Sequence, residues 1–433
     1  MLVGPSIDVC WGGGIPNCGD VADYSATRHR QDNEPTQTAE AFPTDVDPGD
    51  LKRVSTVNRV RSLTGIRAVA ALLVVATHAA YGTGKETHGY VGLLYSRLEI
   101  GVPIFFVLSG FLLFSRWVKA AAKGSTPPRV RRYVWRRVRR VMPAYVVIVL
   151  LAYLVYQFRP DGPNPGQTWM GLFRYLTLTQ IYTGNYMLTY QHQGLTQMWS
   201  LAVEVAFYAA LPLLSYLLLV VLCRGRWRPE LLLAGLAALA AVAPAWLIAL
   251  HTSDWLPSAA GMWLPAYLGC FAGGMALAVL RAMGARCYGF AVIPLALVCY
   301  LIVSTPIAGD VGMSPVKVWE PLAKAVFYAI IATLVVAPLA LDDRGWYARM
   351  LSSRPLVWLG EISYEIFLIH VIMMAIATDS VLRRPAFTGS MMELFVVTLM
   401  MTVPLAWVLH RAVHRDRRLG ASSHATIPVY ANA

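Results

Sequence analysis

Charge is scarce in this chain. Asp, Glu, Lys and Arg make up 14% of its 433 residues and hydrophobic residues 57%, a balance that excludes an ordinary water-soluble globular protein. Long polar segments are missing as well, apart from residues 1–57. The six cysteines (Cys10, Cys18, Cys223, Cys270, Cys287 and Cys299) lack metal-type spacing. Four of them lie in or beside apolar runs and read as packing thiols, so no metal site is expected. The N-terminus lacks the succession of basic end, apolar core and small-residue cleavage site that marks a signal peptide. Residues 1–57 are instead rich in Gly, Pro, Asp, Thr and Asn without apolar periodicity. Such a stretch cannot bury enough surface to order itself, and a disordered tail is expected there.

Apolar runs near 20 residues recur along the rest of the chain, the length that crosses a hydrocarbon core of roughly 30 Å. Ten are expected, at about 63–82, 100–118, 141–157, 198–222, 231–250, 261–280, 288–304, 319–340, 356–378 and 392–410. The fold class is therefore an all-α polytopic integral membrane protein. Its membrane domain covers 58–411, and a short cytoplasmic tail 412–433. A net charge of +13 would suggest nucleic acid in a soluble chain. Here its cause is simpler, because alternate loops carry 21 and 7 Lys/Arg. Basic loops stay in the cytoplasm, which puts both termini there and implies a lipid bilayer rather than nucleic acid as partner. The connection 158–197 is aromatic and polar rather than apolar. It suits an interfacial or re-entrant segment, since another span there would invert every later loop.

Several ionisable residues stand inside these runs. Arg67 and His78 lie on the first, eleven positions apart, or roughly 16 Å at helical rise. Structural alternatives exist for both, a snorkelling anchor and a packing hydrogen bond, yet an ionisable group so deep is a functional candidate. On the second run, LSG with Ser109 and Gly110 reads first as a close-packing motif. Arg136, Arg137, Arg139 and Arg140 stand on a helical stretch that leads straight into Pro143 and Tyr145 of the third run. Arg137 and Arg140 share a face. Their forks suit phosphate, either of a ligand or of anionic lipid. Glu204 lies two turns into the fourth run, with Ser200 a turn before and Tyr208 a turn after on one face. Paired with His78, Glu204 would orient and stabilise the imidazole for general-base chemistry on a hydroxyl. The ninth run carries Glu361, Ser363, Tyr364, Glu365 and His370, more polar groups than packing needs. Glu320 and Lys324, a turn apart, read as a structural pair.

Taken together, LTGIRAVAALLVVATH, GVPIFFVLSGFLL, RRVRRVMPAY, MWSLAVEVAFY and LGEISYEIFLIH resemble the acyltransferase type 3 family of membrane O-acyltransferases. The resemblance covers 61–410 and adds Trp199 to the candidates. It implies ten core helices and an acyl-CoA donor, most often acetyl-CoA. The implied acceptor is a carbohydrate, glycolipid or glycosylated antibiotic, and the implied location a bacterial inner (plasma) membrane. It also implies that His78 and Arg67 are needed for activity, that Arg137 and Arg140, with Arg136 beside them, hold coenzyme A, and that Glu204 supports the site. Some members carry a second, esterase-like domain after the membrane part, and this sequence leaves no room for one. His414-Arg415-Asp416 stands where members often carry Glu, a basic residue and Pro. A transporter of lipid-linked sugars using the same residues as a proton relay is the competing reading.

Overall fold

The structure, a computed structural model, describes residues 48–159, 162–310 and 317–422. Residues 1–47 of the expected tail, with Cys10 and Cys18, lie outside the described residues, as do residues 423–433. Every described element is helical. In order these are α1 (Pro48–Gly82), α2 (Gly89–Ser96), α3 (Gly101–Ala122), α4 (Val130–Gln157), α5 (Trp169–Leu176), α6 (Tyr186–Thr189), α7 (Met198–Tyr216) and α8 (Pro229–Thr252). There follow α9 (Leu268–Ala282), α10 (Gly289–Val303), α11 (Trp319–Ala340), α12 (Trp346–Leu351), α13 (Arg354–Glu361), α14 (Ser363–Ile376) and α15 (Met391–Ser422). Among the described residues nine helices are long and apolar enough to cross a membrane. The seventh expected run, 288–304, is α10, whose 15 residues reach only about 22 Å and need a locally thinner bilayer or flanking turns to span it.

The arginine stretch is continuous with its span, since α4 runs from Val130 through Pro143 to Gln157. The ninth run, in contrast, is two helices. Ile362 leaves helical geometry between α13 and α14, and the Ser363 hydroxyl closes the break by donating to Gly360 O at 2.8 Å. The break leaves Glu361 exposed while Glu365 is buried against His410, at 3.0 Å. The expected pair of Glu320 and Lys324 is also rearranged: Lys324 reaches Glu99 on the turn before α3 instead.

Helices approach one another most closely where side chains are smallest. Gly110 of α3 faces the Phe271 carbonyl of α9, and Gly274 of α9 faces the Val107 carbonyl of α3, so a Cβ at either would collide with backbone. Gly110 therefore does the packing expected of the LSG motif. Near the start of the apolar part of α1, Gly360 of α13 is pressed on Thr64 in the same way. The core enclosed by α1, α3, α4, α7, α9 and α14 includes Val75, Val107, Phe114, Tyr145, Phe207 and Leu368.

No helix of spanning length occurs in the 158–197 connection among the described residues. It folds on itself through polar contacts. Thr168 caps α5 by accepting from Gly171 N at 2.9 Å, and the Tyr153 hydroxyl donates to Gly166 O at 2.6 Å. His192 is fully buried. Gly194 N donates to its Nδ1 at 3.1 Å, so its Nε2–H donates to Gln167 Oε1 at 2.6 Å. Burial pushes this imidazole down to about 4, and it stays neutral. Trp169, Phe173 and Leu188 face outward and exposed, as an interfacial segment requires.

Candidate functional site

A cavity of about 340 Å³ lies between α1, α3, α4, α7 and α14. Antiparallel neighbours order its walls. At one end stand Arg67 of α1, Arg116 near the end of α3, and Arg137 and Arg140 at the start of the apolar part of α4. Ser363 and Tyr364 stand at the same end, where the Tyr364 hydroxyl donates to Val141 O beside Arg140. Ser109, Glu204 and Tyr208 come next, and Ser200 and Phe367 lie beyond them. Helical spacing explains the sharing of walls: Ser200, Glu204 and Tyr208 recur at one-turn intervals on α7, and Phe105, Ser109, Leu112 and Arg116 follow one face of α3.

Four guanidiniums thus meet one carboxylate. Among the described residues none of the four is in a salt bridge. Arg137 Nε is buried without a hydrogen-bond partner, and its guanidinium lies 5.9 Å from the Tyr208 ring centre. Glu204 is engaged by neutral donors. The hydroxyls of Ser109 and of Tyr208 (2.6 Å) both donate to its Oε1. The cavity therefore keeps a surplus of positive charge, with Arg67 and Arg137 half-buried and Arg116 and Arg140 open to solvent, and an anionic ligand would offset it.

His78 does not meet Glu204. Its Nδ1–H donates to Val74 O at 2.8 Å, one turn back on α1, and its ring packs edge-on against His370 with centroids 5.1 Å apart. Glu204 sits deeper on α7 and its oxygen is spent on Ser109 and Tyr208, so the expected His–Glu pair is replaced by a His–His pair. His370 is fully buried, donates from Nδ1 to Phe367 O at 2.8 Å, and leaves Nε2 without a partner. In both rings the bond to a carbonyl fixes the proton on Nδ1 and leaves Nε2 as the basic nitrogen.

Of the residues expected at a site, Arg67, Ser109, Arg137, Arg140, Ser200, Glu204, Tyr208, Ser363 and Tyr364 share this cavity. His78 and His370 lie beyond its end. Arg136 is exposed and points elsewhere, because it stands one position off the face shared by Arg137 and Arg140. Trp199 packs on Tyr267, centroids 5.4 Å apart, rather than lining the cavity. Arg116 was not among the candidates, although its place two turns from Ser109 on an apolar helix is a legible signal. Among the described residues no cluster of three or more metal-type ligands occurs.

A polytopic helical bundle that encloses a cation-rich cavity, with a carboxylate within and basic imidazoles past its end, has the parts of a membrane-embedded transferase. The chain belongs to the acyltransferase type 3 family: the family's acyltransferase domain matches residues 60–411. It is 25% identical over 364 residues to the peptidoglycan O-acetyltransferase OatA of Listeria monocytogenes, a match over 76% of this chain and 52% of that protein. It is 30% identical over 329 residues to the acyltransferase MdmB of Streptomyces mycarofaciens, over 72% and 79% of the two chains. The O-acetyltransferase OatA of Staphylococcus aureus matches at 22% over 414 residues, 62% of its length. The chain thus spans about half to four fifths of these relatives, and about half of the Listeria protein. No solved structure matches it at a significant level. Family and helices make it a multi-pass integral membrane protein of the kind a bacterial inner membrane holds.

Proposed function

We propose that the protein moves an acyl group, acetyl foremost, from acyl-CoA to a hydroxyl of a carbohydrate or glycolipid at the opposite membrane face. One observation carries the reading: Arg67, Arg116, Arg137 and Arg140 converge on one cavity with Glu204 as the sole carboxylate in its lining. Three uncompensated positive charges fit the phosphates of a coenzyme A donor, and a cavity of about 340 Å³ has room for its thioester arm. The uneven Lys/Arg content of the loops, 21 against 7, supports a cytoplasmic position for the arginine end. The names of the Listeria and Staphylococcus relatives, O-acetyltransferases, support an acetyl group, and that of the Listeria protein a glycan acceptor.

In this reaction His78 Nε2 takes the proton of the acceptor hydroxyl while the oxygen bonds to the thioester carbonyl carbon. The C–S bond then breaks, and the departing thiolate takes a proton from the imidazolium. Val74 O, by holding Nδ1–H, keeps Nε2 available. Glu204 supports the donor end, where it balances part of the guanidinium charge and fixes Ser109 and Tyr208.

The test is purified protein in vesicles, with acetyl-CoA supplied on the arginine side and a glycan acceptor on the other. Free thiol should appear in step with the acetyl mass increment on the acceptor. Passage of a lipid-linked sugar with no thioester consumed would overturn the proposal in favour of transport.

A further inference from the structure

One aromatic ring, that of Phe367, borders both the cavity and the imidazole pair. Phe367 lines the end of the cavity remote from the arginines, together with Ser200, Leu201 and Val102. The same ring touches His370, centroids 6.0 Å apart, and His370 touches His78 at 5.1 Å. Neither histidine lines the cavity. A ligand that enters from the arginine end therefore meets the phenyl group before it meets an imidazole.

The backbone that carries this ring is held firmly. Phe367 O accepts from His370 Nδ1 at 2.8 Å and from Gln197 Nε2 at 3.4 Å, and Leu368 O accepts from Gln197 Nε2 at 3.0 Å. Phe367 is 8% exposed. With its backbone so held, the ring moves only by rotation about its side-chain bonds, the movement that would bring a bound thioester to His78. In place it bounds the space beside it. With a volume of about 340 Å³ the cavity lies near the lower limit of ligand pockets. A slender arm fills most of it, and what lies past the arm ends at the phenyl group.

We infer that Phe367 is the specificity-determining wall that restricts the donor to short-chain acyl thioesters. The inference rests on the acyl-transfer reading above and deepens it. Of the remaining walls at this end, Val102 and Leu201 are apolar and only Ser200 is polar, so a longer chain is refused by lack of room more than by polarity. Removal of the ring opens space that added methylenes can occupy at a gain.

The experiment compares wild type with Phe367→Ala, Phe367→Leu and Phe367→Trp on acetyl-, butyryl- and octanoyl-CoA. Thiol release gives kcat/KM for each donor, and a thermal melt of the same samples reports folding. Wild type should lose rate as the chain lengthens. Phe367→Ala should raise the octanoyl-to-acetyl ratio by at least about tenfold, the scale one or more methylenes command in an apolar pocket. Phe367→Leu should raise the butyryl-to-acetyl ratio, and Phe367→Trp should lower it, so the test stands even if the alanine variant fails to fold. Unchanged ratios in folded, acetyl-active variants overturn the inference alone. A wild type that consumes no acyl-CoA overturns the transfer reading and the inference with it.

Discussion

Arg97 and Arg67 both carry a guanidinium into the helical bundle, and the protein treats them differently. Arg97, on the turn between α2 and α3, is 2% exposed and donates to Val303 O, Ala308 O and Gly309 O at 3.2, 3.1 and 2.5 Å. Close by, Glu99 is held by Lys324 and by the Tyr328 hydroxyl at 2.8 Å. Each charge there has its answer inside the chain. Arg67 shares its cavity with three more guanidiniums and one carboxylate, and none of the four arginines is in a salt bridge among the described residues. Buried polar groups normally find partners. The first set is satisfied within the chain, whereas the second leaves the half-buried Arg67 and Arg137 without an ion partner among the described residues, as the proposed donor site requires. Sequence position alone does not separate the two, because both sets lie in or beside apolar runs and both contain Arg.

The largest effect that would sharpen this contrast is expected at His78. His78→Ala should lower acyl transfer by about 10²- to 10⁴-fold, the usual worth of a positioned general base, while the melting temperature stays near wild type. A variant with ordinary activity would remove the histidine from the reaction. Next comes Arg97→Ala, which leaves three carbonyls unpaired at about 1 kcal/mol or more each, so a loss of roughly 3–5 kcal/mol is expected. Arg67→Ala should leave stability unchanged or raise it, because it relieves crowding of like charge. Equal melting curves for the two variants would erase the distinction.

A third outcome concerns a satisfied group outside the spans. His192 is held neutral by burial at about 4, against about 6.5 in an unfolded chain. Between these values the unfolded chain binds the extra proton, so stability falls as pH is lowered from about 6.5 towards 4. The loss is complete below that window and amounts to about 3 kcal/mol. His192→Gln, which keeps an amide donor for Gln167, should flatten the dependence of melting temperature on pH. An unaltered slope would place the titrating group elsewhere.

Much of this was legible before any coordinates, and the failures share a cause. The expected spans at 198–222 and 319–340 coincide with the observed Met198–Leu222 and Trp319–Ala340, because apolar runs with polar ends report length directly. The break at Ile362 was hidden, since apolar residues continue across it and what fixes it is the contact of Gly360 with Thr64 on another helix. His78 and Glu204 were matched by depth in the bilayer. Depth gives a level along a helix but not the direction a side chain takes around it. The same lack concealed Phe367 and Arg116, whose meaning comes from neighbours on other helices. Helix order, spacing and the arginine cluster are local properties, whereas the His–His contact belongs to packing.

The smallest of these effects separates adjacent arginines. Arg137 lies in the cavity with Nε buried and unpartnered, while Arg136 is exposed on the next face. If the cavity binds the donor's phosphates, Arg137→Ala removes a charge-assisted contact worth about 1.5–3 kcal/mol and should raise the KM for acyl-CoA about tenfold or more. Because phosphates stay distant from the reacting carbonyl, that contact is made equally in the ground and transition states. The kcat should therefore change little. Arg136→Ala should alter neither constant, although it removes the same charge from the same turn of helix. General attraction of an anionic donor to a basic surface would make the two substitutions alike. A difference between them requires a ligand that distinguishes one face of α4 from the next, as a ligand seated in the cavity does.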